Sequence, residues 1–465
     1  MLGSPERGRE RMAAKTGIDL AKAGARETAE AVRAGAISAL EAADAAIARI
    51  EAVDGAINAV VVRDFERARA AAKAVDASRM PGDMRRLLGV PMTVKESNDV
   101  AGLPSTWGFE SFKDVDASRD AVVVTRLKAE GAIILGKTNV PVALGDWQSV
   151  NPVYGRTVNP FDHTRSPGGS SGGAAAALAT GMVPLEIGSD IGGSIRFPAH
   201  MCGVFGHKPS WGIVPQRGHL FPGTDGCDAP LAVVGPMARN VGDLIAALEV
   251  IAGPEAGSGM RLDLPAPRAG GLGGFRVRVL REMPGVPVDR DTGNALERFA
   301  GQLRAAGVVV SEGSEGLPDL AEMVPTYVRM LMTVISRGEP SATPISAHDW
   351  MNLLDYQLAI TRQWSAFFEG ADILLSPAFS TPAFPHKDEP DWGKRTLDID
   401  GLTLPYGAQL AWASIATFAG LPSTCVPVAK SVGGLPIGFQ LIGAPFADRT
   451  TLRFASLLEA AGLIE

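Results

Sequence analysis

The sequence predicts an α/β protein folded as one large domain. From Leu88 onward, short apolar runs typical of strands alternate with amphipathic segments typical of helices. Before that point, residues 18–78 are alanine-rich and helical in pattern. The 465 residues are enough to bury a sizeable core, and they contain no internal repeat.

Local patterns predict the individual elements in chain order. Ser38-Ala-Leu-Glu41 is a capping box, and the helix that it starts has an apolar face at Leu40, Ala43, Ile47 and Ile50. The other predicted helices cover 120–130, 172–180, 241–252, 291–306 and 408–418, with Asp448 capping a last one. The predicted strands are a run ending at Lys95 and the runs 132–136, 276–280, 308–310, 373–376, 424–428 and 438–443. A turn is predicted from Gly235 and a loop over 253–274.

Two serines flanked by glycines mark the candidate site. Ser170 lies in Gly-Gly-Ser-Ser-Gly-Gly at 168–173, and Ser194 ends Asp-Ile-Gly-Gly-Ser at 190–194. Backbone N–H groups of a glycine run can converge on one anion, and beside a hydroxyl nucleophile they form an oxyanion hole. The sequence therefore predicts Ser194 as a nucleophile. The predicted oxyanion donors are the amides of Ile191, Gly192, Gly193 and Ser194.

Lys95 is the predicted base for this serine. None of the six histidines lies in a recognisable triad motif. Lys95 ends the apolar run Gly-Val-Pro-Met-Thr-Val-Lys at 89–95, where a lysine would be partly desolvated. Desolvation lowers the pKa of a lysine and makes the neutral amine available. A solvated lysine at a strand end remains the alternative.

These blocks together resemble the signature of the amidase signature family, and the resemblance extends with gaps from about Ala36 to the C-terminus. The matching blocks are 168–173, Gly-Ser-Asp-Ile-Gly-Gly-Ser-Ile-Arg-Phe-Pro-Ala at 188–199, Cys-Gly at 202–203, Gly-His-Lys-Pro at 206–209, Gly-Pro-Met-Ala-Arg at 235–239 and Val-Lys-Glu-Ser around Lys95. Glu96, Phe197 and His207 depart from the commonest pattern, which leaves the substrate open rather than the chemistry.

The resemblance implies a catalytic triad and a fold. Its triad would be Ser194, Ser170 and Lys95, with Ser170 after a cis peptide bond from Gly169 and relaying a proton between the other two. Its fold is a central mixed, twisted β-sheet with helices on both faces. No metal or cofactor is implied.

Further site residues also follow only from the resemblance. Leu144 and Gly145 would present backbone groups to the substrate, although a plain surface turn is an alternative for both. Phe197 would contact the substrate. Supporting roles would fall to Gly169, Ser171, Asp190 and Arg196.

Composition excludes several classes of protein. A net charge of −7 argues against nucleic-acid binding. Cys202, Cys227 and Cys425 are odd in number and lack a metal-binding spacing, which predicts buried thiols in the reducing cytoplasm. Residues 1–15 are charged and predict a disordered tail. The uncharged stretch 402–429 is interrupted by glycine and proline, which favours a helix and a buried strand over a membrane span.

Within the single domain we expect four regions. They are N-terminal helices at 16–80, a signature core at 88–255, a variable insertion at 256–370 and a C-terminal part of the core at 371–465. Methionine and aromatic residues are concentrated in 320–368. They predict either core packing or an apolar substrate pocket or lid.

The leading hypothesis is a serine hydrolase of small-molecule carboxylic amides, with aryl or apolar acyl groups, and with carbamates and some esters left open. An alternative is the glutaminase subunit of a tRNA-dependent amidotransferase, which commonly has Gln at the position of Phe197. A remote alternative is a non-catalytic nucleotide-binding module using 168–173 as a phosphate cradle; that run lacks the Gly-Lys-Ser/Thr ending of a P-loop. A homodimer is left open by the sequence.

Overall fold

An eleven-stranded mixed sheet forms the centre of the molecule. The structure is a computed structural model that describes residues 18–222, 224, 226–268, 270–337 and 342–464. The predicted tail at 1–15 lies outside these ranges. Within them the helices are α1 (Ala25–Ala34), α2 (Ala39–Val53), α3 (Phe65–Ser78), α4 (Val122–Ala129), α5 (Gly172–Ala179), α6 (Arg196–Cys202), α7 (Val241–Ile251), α8 (Arg290–Ala305), α9 (Leu320–Ile335), α10 (Ala347–Gly370), α11 (Leu410–Thr417) and α12 (Asp448–Ala460).

The strands belong to this large sheet and to two small two-stranded ones. They are β1 (Val60–Arg63), β2 (Pro91–Lys95), β3 (Ile133–Thr138), β4 (Val150–Asn151), β5 (Gly155–Arg156), β6 (Leu185–Asp190), β7 (Phe205–Lys208), β8 (Val233–Ala238), β9 (Arg276–Val279), β10 (Val309–Glu312), β11 (Ile373–Pro377), β12 (Thr396–Ile399), β13 (Leu402–Pro405), β14 (Ser423–Lys430) and β15 (Pro436–Ile442). The large sheet has the order β1-β3-β2-β6-β8-β7-β14-β15-β11-β9-β10. β2 runs parallel to both of its neighbours, β3 and β6, whereas β8 is antiparallel to β6 and β7, so the sheet is mixed as predicted.

Side chains alternate between the two faces of the sheet and pack against helices on each. Met92 and Val94 of β2 lie in a buried apolar cluster with residues of α4, α7, α8 and α12. Because successive side chains of a strand point to opposite faces, Thr93 and Lys95 face the other side. Two further clusters cover that side, one formed with α2, α5 and α6 and the other with α9, α10 and α11.

Most of the predicted elements are present with boundaries shifted by one to three residues. The capping box is confirmed, since the Ser38 side chain accepts from the Glu41 N–H and the Glu41 carboxylate accepts from the Ser38 N–H. The stretch 402–429 contains α11 and most of β14 rather than one long helix. In the described part of the chain, no helix combines the length and apolarity that crossing a bilayer requires.

Three predictions about local structure are wrong. Gly235 belongs to strand β8 and not to a turn, because β8 pairs with β6 and β7 on both sides. Asp448 is the first residue of α12 rather than its cap, and its buried carboxylate instead accepts hydrogen bonds from the Ser210 N–H and hydroxyl. Cys227 is exposed, whereas Cys202 and Cys425 are buried free thiols as predicted.

Candidate active site

Lys95 lies at the end of β2 in the middle of the sheet, fully buried. Its Nζ is 2.7 Å from Ser170 Oγ, 3.0 Å from Ser171 Oγ and 2.9 Å from Ser189 Oγ. Two of these serines were predicted, and they lie immediately before α5; Ser189 comes from the neighbouring strand β6. Parallel pairing of β2 with β6 brings the lysine and Ser189 together at the carboxyl ends of these two strands.

Burial sets the proton affinity of this lysine. It lowers the pKa of Lys95 to about 7, although the carboxylates of Asp190 and Glu186 oppose the shift. A lysine normally titrates near pH 10.4, so a much larger share of the amine is neutral at pH 7 than in solution. The prediction of a desolvated lysine is therefore supported, and the alternative of a solvated strand end is wrong.

The three hydroxyls around Lys95 are not equivalent. The Ser171 hydroxyl is 3.3 Å from the Ser189 carbonyl oxygen and donates to it, so towards Lys95 it can act only as an acceptor. A neutral amine donates two hydrogen bonds and accepts one. Ser170 and Ser189 remain as groups that can donate to the lysine nitrogen, and Ser170 makes the shorter contact.

Ser170 follows a cis peptide bond from Gly169, as the resemblance implied. A Cβ at position 169 would lie 2.5 Å from the Asp146 carbonyl oxygen and 2.6 Å from that of Gln148, so only glycine fits. The Ser171 N–H donates to the Ser194 carbonyl oxygen at 3.2 Å, which ties the two serine segments together. Among the described residues, no hydrogen bond joins the hydroxyls of Ser170 and Ser194.

The loop 190–194 carries the predicted nucleophile between β6 and α6. Ser194 is 5% exposed and lies at the edge of the buried interior. The Gly193 N–H donates to Asp190 Oδ1 at 2.9 Å, so this amide is already used and the prediction of four available donors is wrong for Gly193. In the part of the chain that the structure describes, the N–H groups of Ile191, Gly192 and Ser194 have no acceptor and remain available for an anion.

Asp190 anchors this loop from inside. Arg196 donates to both of its carboxylate oxygens, from Nη2 at 2.8 Å and from Nε at 3.0 Å, and both side chains are fully buried. Burial alone would raise the pKa of Asp190, but the Arg196 guanidinium holds that pKa at about 2. Arg196 is itself held by Gln440 at 2.7 Å and Thr417 at 2.8 Å. Asp190 and Arg196 therefore form a rigid, permanently charged support beneath the loop, in keeping with their predicted supporting roles.

The chain matches a known protein family along most of its length. A family model described as Amidase matches residues 41–340 and 335–452 of the chain. The chain belongs to the amidase signature family. Members of this family hydrolyse C–N amide bonds, and the chain is an amide hydrolase of that family.

Several relatives of this amidase cover almost its whole length. Indoleacetamide hydrolase of Bradyrhizobium diazoefficiens is 33% identical over 459 residues, covering 93% of this chain and 85% of that protein. One of the subunits of the glutamyl-tRNA(Gln) amidotransferase of Roseiflexus castenholzii is 33% identical, covering 91% of this chain and 92% of that protein. The solved structure of a bacterial aryl acylamidase of the amidase signature family matches with a TM-score of 0.78 at 27% identity, covering 94% of this chain and 96% of that one.

Phe197 of the amidase packs in the core against Gly193 of the loop 190–194. Its side chain is fully buried, with ring centroids 5.4 Å from Trp147 and 5.0 Å from Phe379. A Cβ on Gly193, whose φ is +93°, would lie 2.5 Å from the Phe197 ring. The structure thus places Phe197 in the core under Gly193, and its contact with a substrate remains a prediction.

The segment with Leu144 and Gly145 lies at the surface of the amidase. Leu144 has a positive φ of 57°, and its N–H is bonded to the Pro141 carbonyl oxygen at 3.1 Å. The Gly145 N–H is bonded to the carbonyl of Val142 at 3.0 Å. Both amides are therefore used within the turn, so only the carbonyls of these two residues can face a ligand. A positive φ at a residue other than glycine is typical of functional segments.

Four groups around the site of the amidase could not be assigned from the sequence. Ser189 lies inside the signature block 188–199, where no local pattern distinguishes it from its neighbours. Glu186 faces the same side of the sheet as Lys95, and burial raises its pKa to about 8. The other two, Trp147 and Tyr327, donate hydrogen bonds to carbonyl oxygens of the loop 190–194. In the sequence Tyr327 is only one of the aromatic residues of 320–368, and Trp147, between Asp146 and Gln148, belongs to no recognisable pattern.

Glu96 and His207, two of the departures from the family pattern, serve the structure. The buried Glu96 carboxylate accepts from the N–H groups of Thr106 and Trp107 and orders the loop after β2. His207 is buried between Thr424 and Asp448, with its Nε2 3.2 Å from the Asp448 carboxylate. Both side chains are therefore engaged away from the three serines around Lys95.

Proposed function

We propose that this amidase is a serine hydrolase that cleaves aryl or apolar carboxylic amides through Ser194, Ser170 and Lys95. The observation that carries the proposal is the buried Lys95 amine, 2.7 Å from Ser170 and with its pKa lowered to about 7. A lysine kept partly neutral among hydroxyls has few structural uses, but it is what a general base requires.

The proposed reaction has two steps, acylation of Ser194 and hydrolysis of the acyl-enzyme, and each returns the proton that it takes. Ser194 Oγ bonds to the carbonyl carbon and passes its proton to Ser170, which passes its own to neutral Lys95. The C–N bond then breaks, and the proton passes from Lys95 through Ser170 to the leaving amine nitrogen. A water molecule then attacks the carbonyl carbon of the acyl-Ser194 ester, and its proton passes through Ser170 to Lys95. When the ester bond breaks, Ser194 Oγ takes a proton back and the carboxylic acid is released.

The negative oxygen of each tetrahedral intermediate needs preorganised donors. We assign this role to the N–H groups of Ile191, Gly192 and Ser194, which have no acceptor among the described residues. Losing one such donor typically costs about 3–4 kcal/mol of transition-state stabilisation. The relay also requires Ser170 and Ser194 to come within hydrogen-bond distance. Catalytic hydrogen bonds are often long in free enzymes and shorten when substrate binds.

Aryl substrates are favoured by the relatives and by the surroundings of the loop. The names of the indoleacetamide hydrolase and the aryl acylamidase both specify an aromatic group. In this chain, a Cβ on Gly192 would lie 3.3 Å from the Leu410 side chain, so an apolar group would have an apolar neighbour beside the oxyanion donors. Carbamates present the same kind of carbonyl and are included in the proposal.

The methionine-rich segment contributes less to this specificity than its composition suggested. Met323 and Met330 of α9 are fully buried in an apolar cluster with Trp364. These contacts favour core packing for both residues over a pocket or lid. Met332 and Met351 are instead exposed.

The second candidate is the glutaminase component of an amidotransferase, supported by the 33% identity to the Roseiflexus protein. The remote alternative, a phosphate cradle at 168–173, is disfavoured by the structure. The N–H groups of Gly168, Ser171, Gly172 and Gly173 are bonded to Ser166, Ser194, Ser149 and Asn139. They are therefore not available to a phosphate.

The test is a substrate panel with the wild type and Ser194→Ala assayed in parallel. The panel contains acyl p-nitroanilides, the matched p-nitrophenyl carbamates, indole-3-acetamide and glutamine, with Ser365→Ala on the exposed side of α10 as a matched control. Turnover of aryl amides or carbamates that vanishes only in Ser194→Ala is the expected result. Turnover of glutamine alone would favour the amidotransferase component, and full activity of Ser194→Ala would contradict the mechanism.

A further inference from the structure

Two aromatic side chains from distant parts of the chain hold the carbonyl groups of the loop 190–194. The Tyr327 hydroxyl on α9 donates to the Ile191 carbonyl oxygen at 2.8 Å. The Trp147 indole Nε1–H donates to the Gly192 carbonyl oxygen at 2.9 Å. Tyr327 is fully buried and Trp147 is 4% exposed, so both bonds lie in a region of low dielectric.

Peptide geometry links these carbonyls to the amides on the opposite side of the loop. In a planar trans peptide, the C=O of one residue points away from the N–H of the next. The Gly192 carbonyl held by Trp147 belongs to the same peptide as the Gly193 N–H, which is bonded to Asp190 at 2.9 Å. That peptide is therefore anchored at both ends.

The preceding peptide, between Ile191 and Gly192, is anchored at one end only. Its carbonyl accepts from Tyr327, whereas its N–H, that of Gly192, has no acceptor among the described residues. Because glycine imposes little steric restriction, a peptide on its N-terminal side can rotate at low cost. Among the described residues, the Tyr327 hydroxyl is therefore the one group that fixes the direction in which the Gly192 N–H points.

We infer that Tyr327 is a positioning residue, which preorganises the Gly192 N–H for the oxyanion by holding the Ile191 carbonyl. The inference rests on the proposed function, in which this N–H stabilises the tetrahedral intermediate. Tyr327 does not touch the reacting atoms and acts through the backbone. Trp147 has the lesser role. When its indole hydrogen bond is lost, the Gly192–Gly193 peptide is still held by the bond from the Gly193 N–H to Asp190.

The surroundings of Tyr327 suit this role. Its ring packs against Phe418 at 6.2 Å between centroids and lies among buried residues of α9, including Met323 and Met330. Burial raises the pKa of Tyr327 well above its usual value, so the hydroxyl keeps its proton and remains a donor throughout the working pH range. The bond to Ile191 spans 136 residues of sequence and joins α9, in the region predicted as an insertion, to the loop that follows β6.

The experiment compares Tyr327→Phe with the wild type on the best aryl amide of the panel. The substitution removes one oxygen atom and keeps the ring. We expect kcat to fall about 10- to 100-fold with KM changed less than about 2-fold, because the full loss of an oxyanion donor costs about 10²–10³-fold. A trifluoromethyl ketone with the same acyl group, which forms a tetrahedral adduct with Ser194, should bind more weakly by a similar factor.

Two further variants make the test specific. Tyr356→Phe is the matched control, because Tyr356 also packs near Phe418, at 6.0 Å, and its hydroxyl is not bonded to the loop; its kcat should equal that of the wild type. Trp147→Phe should lower the melting temperature more than Tyr327→Phe does, since Trp147 contacts four other aromatic rings. Its kcat should nevertheless stay within about 5-fold of the wild type.

These outcomes separate the inference from the proposed function. Wild-type kcat and ketone affinity in Tyr327→Phe, with Ser194→Ala inactive, would overturn the inference alone. Full activity of Ser194→Ala would overturn the proposed function itself. If Tyr327→Phe did not fold, the inference would be tested through Trp147→Phe. A loss of kcat larger than about 5-fold in a folded Trp147→Phe would contradict the claim that Tyr327 matters more than Trp147 for catalysis.

Discussion

Lys95 Nζ and Ser170 Oγ are 2.7 Å apart, and both side chains are almost completely buried. This contact places an amine of lowered proton affinity against a hydroxyl that can give it a proton. Each of the following predictions depends on that pair or on the loop beside it.

Lys95→Ala should reduce kcat by about 10²–10⁴-fold, which is the typical cost of removing a general base. The fold should persist, since the substitution removes a buried amine rather than an apolar core side chain. Steady-state kinetics with a p-nitroanilide and thermal unfolding followed by circular dichroism provide the measurement. Retention of full activity would remove Lys95 from the mechanism.

The rate should rise with pH through about 7. The pKa of Lys95 is lowered to about 7 by burial, and only the neutral amine accepts the proton. At pH 5.5 the value of kcat/KM should therefore be about 30-fold below its plateau above pH 8. A profile of kcat/KM from pH 5 to 9 tests this, and a flat profile would contradict the lysine base.

Glu186→Gln should move the rising limb of that profile to lower pH. The Glu186 carboxylate raises the pKa of Lys95, so its removal lowers that pKa and frees the base at more acidic pH. Burial raises the pKa of Glu186 itself to about 8, so the carboxyl is already largely protonated and the shift should stay below about one unit. Glu66→Gln, the same substitution at an exposed carboxylate far from Lys95, is the control. A shift towards higher pH would be the contrary result.

Ser170→Ala and Ser189→Ala should differ strongly in effect. Both remove a hydroxyl from the Lys95 amine, but only Ser170 lies on the proposed path to Ser194. We expect kcat to fall about 10²–10³-fold in Ser170→Ala and about 10-fold in Ser189→Ala, the latter through poorer orientation of the base. Equal losses in the two variants would argue that both serines only orient the lysine.

Gly193→Ala should destabilise the fold by roughly 2–6 kcal/mol, since a strained positive φ and an overpacked contact each cost about 1–3 kcal/mol. The added Cβ would lie 2.5 Å from the Phe197 ring at a φ of +93°. In a Phe197→Ala background the additional cost of Gly193→Ala should be smaller, because the contact with the ring is absent while the backbone strain remains. Urea unfolding of the two single variants and the double variant measures this coupling, and strictly additive losses would show that the ring is not the obstacle.

Much of the fold could be predicted from short stretches of sequence. The helix that follows Ser38 and the strand that ends at Lys95 depend on caps and apolar periods within a few residues. Strand β6 was missed, because glycine, serine and two acidic residues interrupt its apolar pattern. The turn predicted at Gly235 failed for a similar reason: pairing on both sides of β8 outweighs the local preference of glycine and proline.

The sequence by itself determined the α/β class, the two glycine-flanked serines and the lysine at the end of an apolar strand. These depend on residue type and on neighbours within one turn or one strand. The tertiary structure alone decided that Ser189 is the third hydroxyl at Lys95 and that the Asp190 carboxylate accepts the Gly193 N–H. It also decided that Tyr327 and Trp147 donate hydrogen bonds to carbonyls of the loop 190–194. The direction of a peptide N–H depends on what its carbonyl meets, and here that partner lies 136 residues away in the chain, beyond the reach of any local pattern.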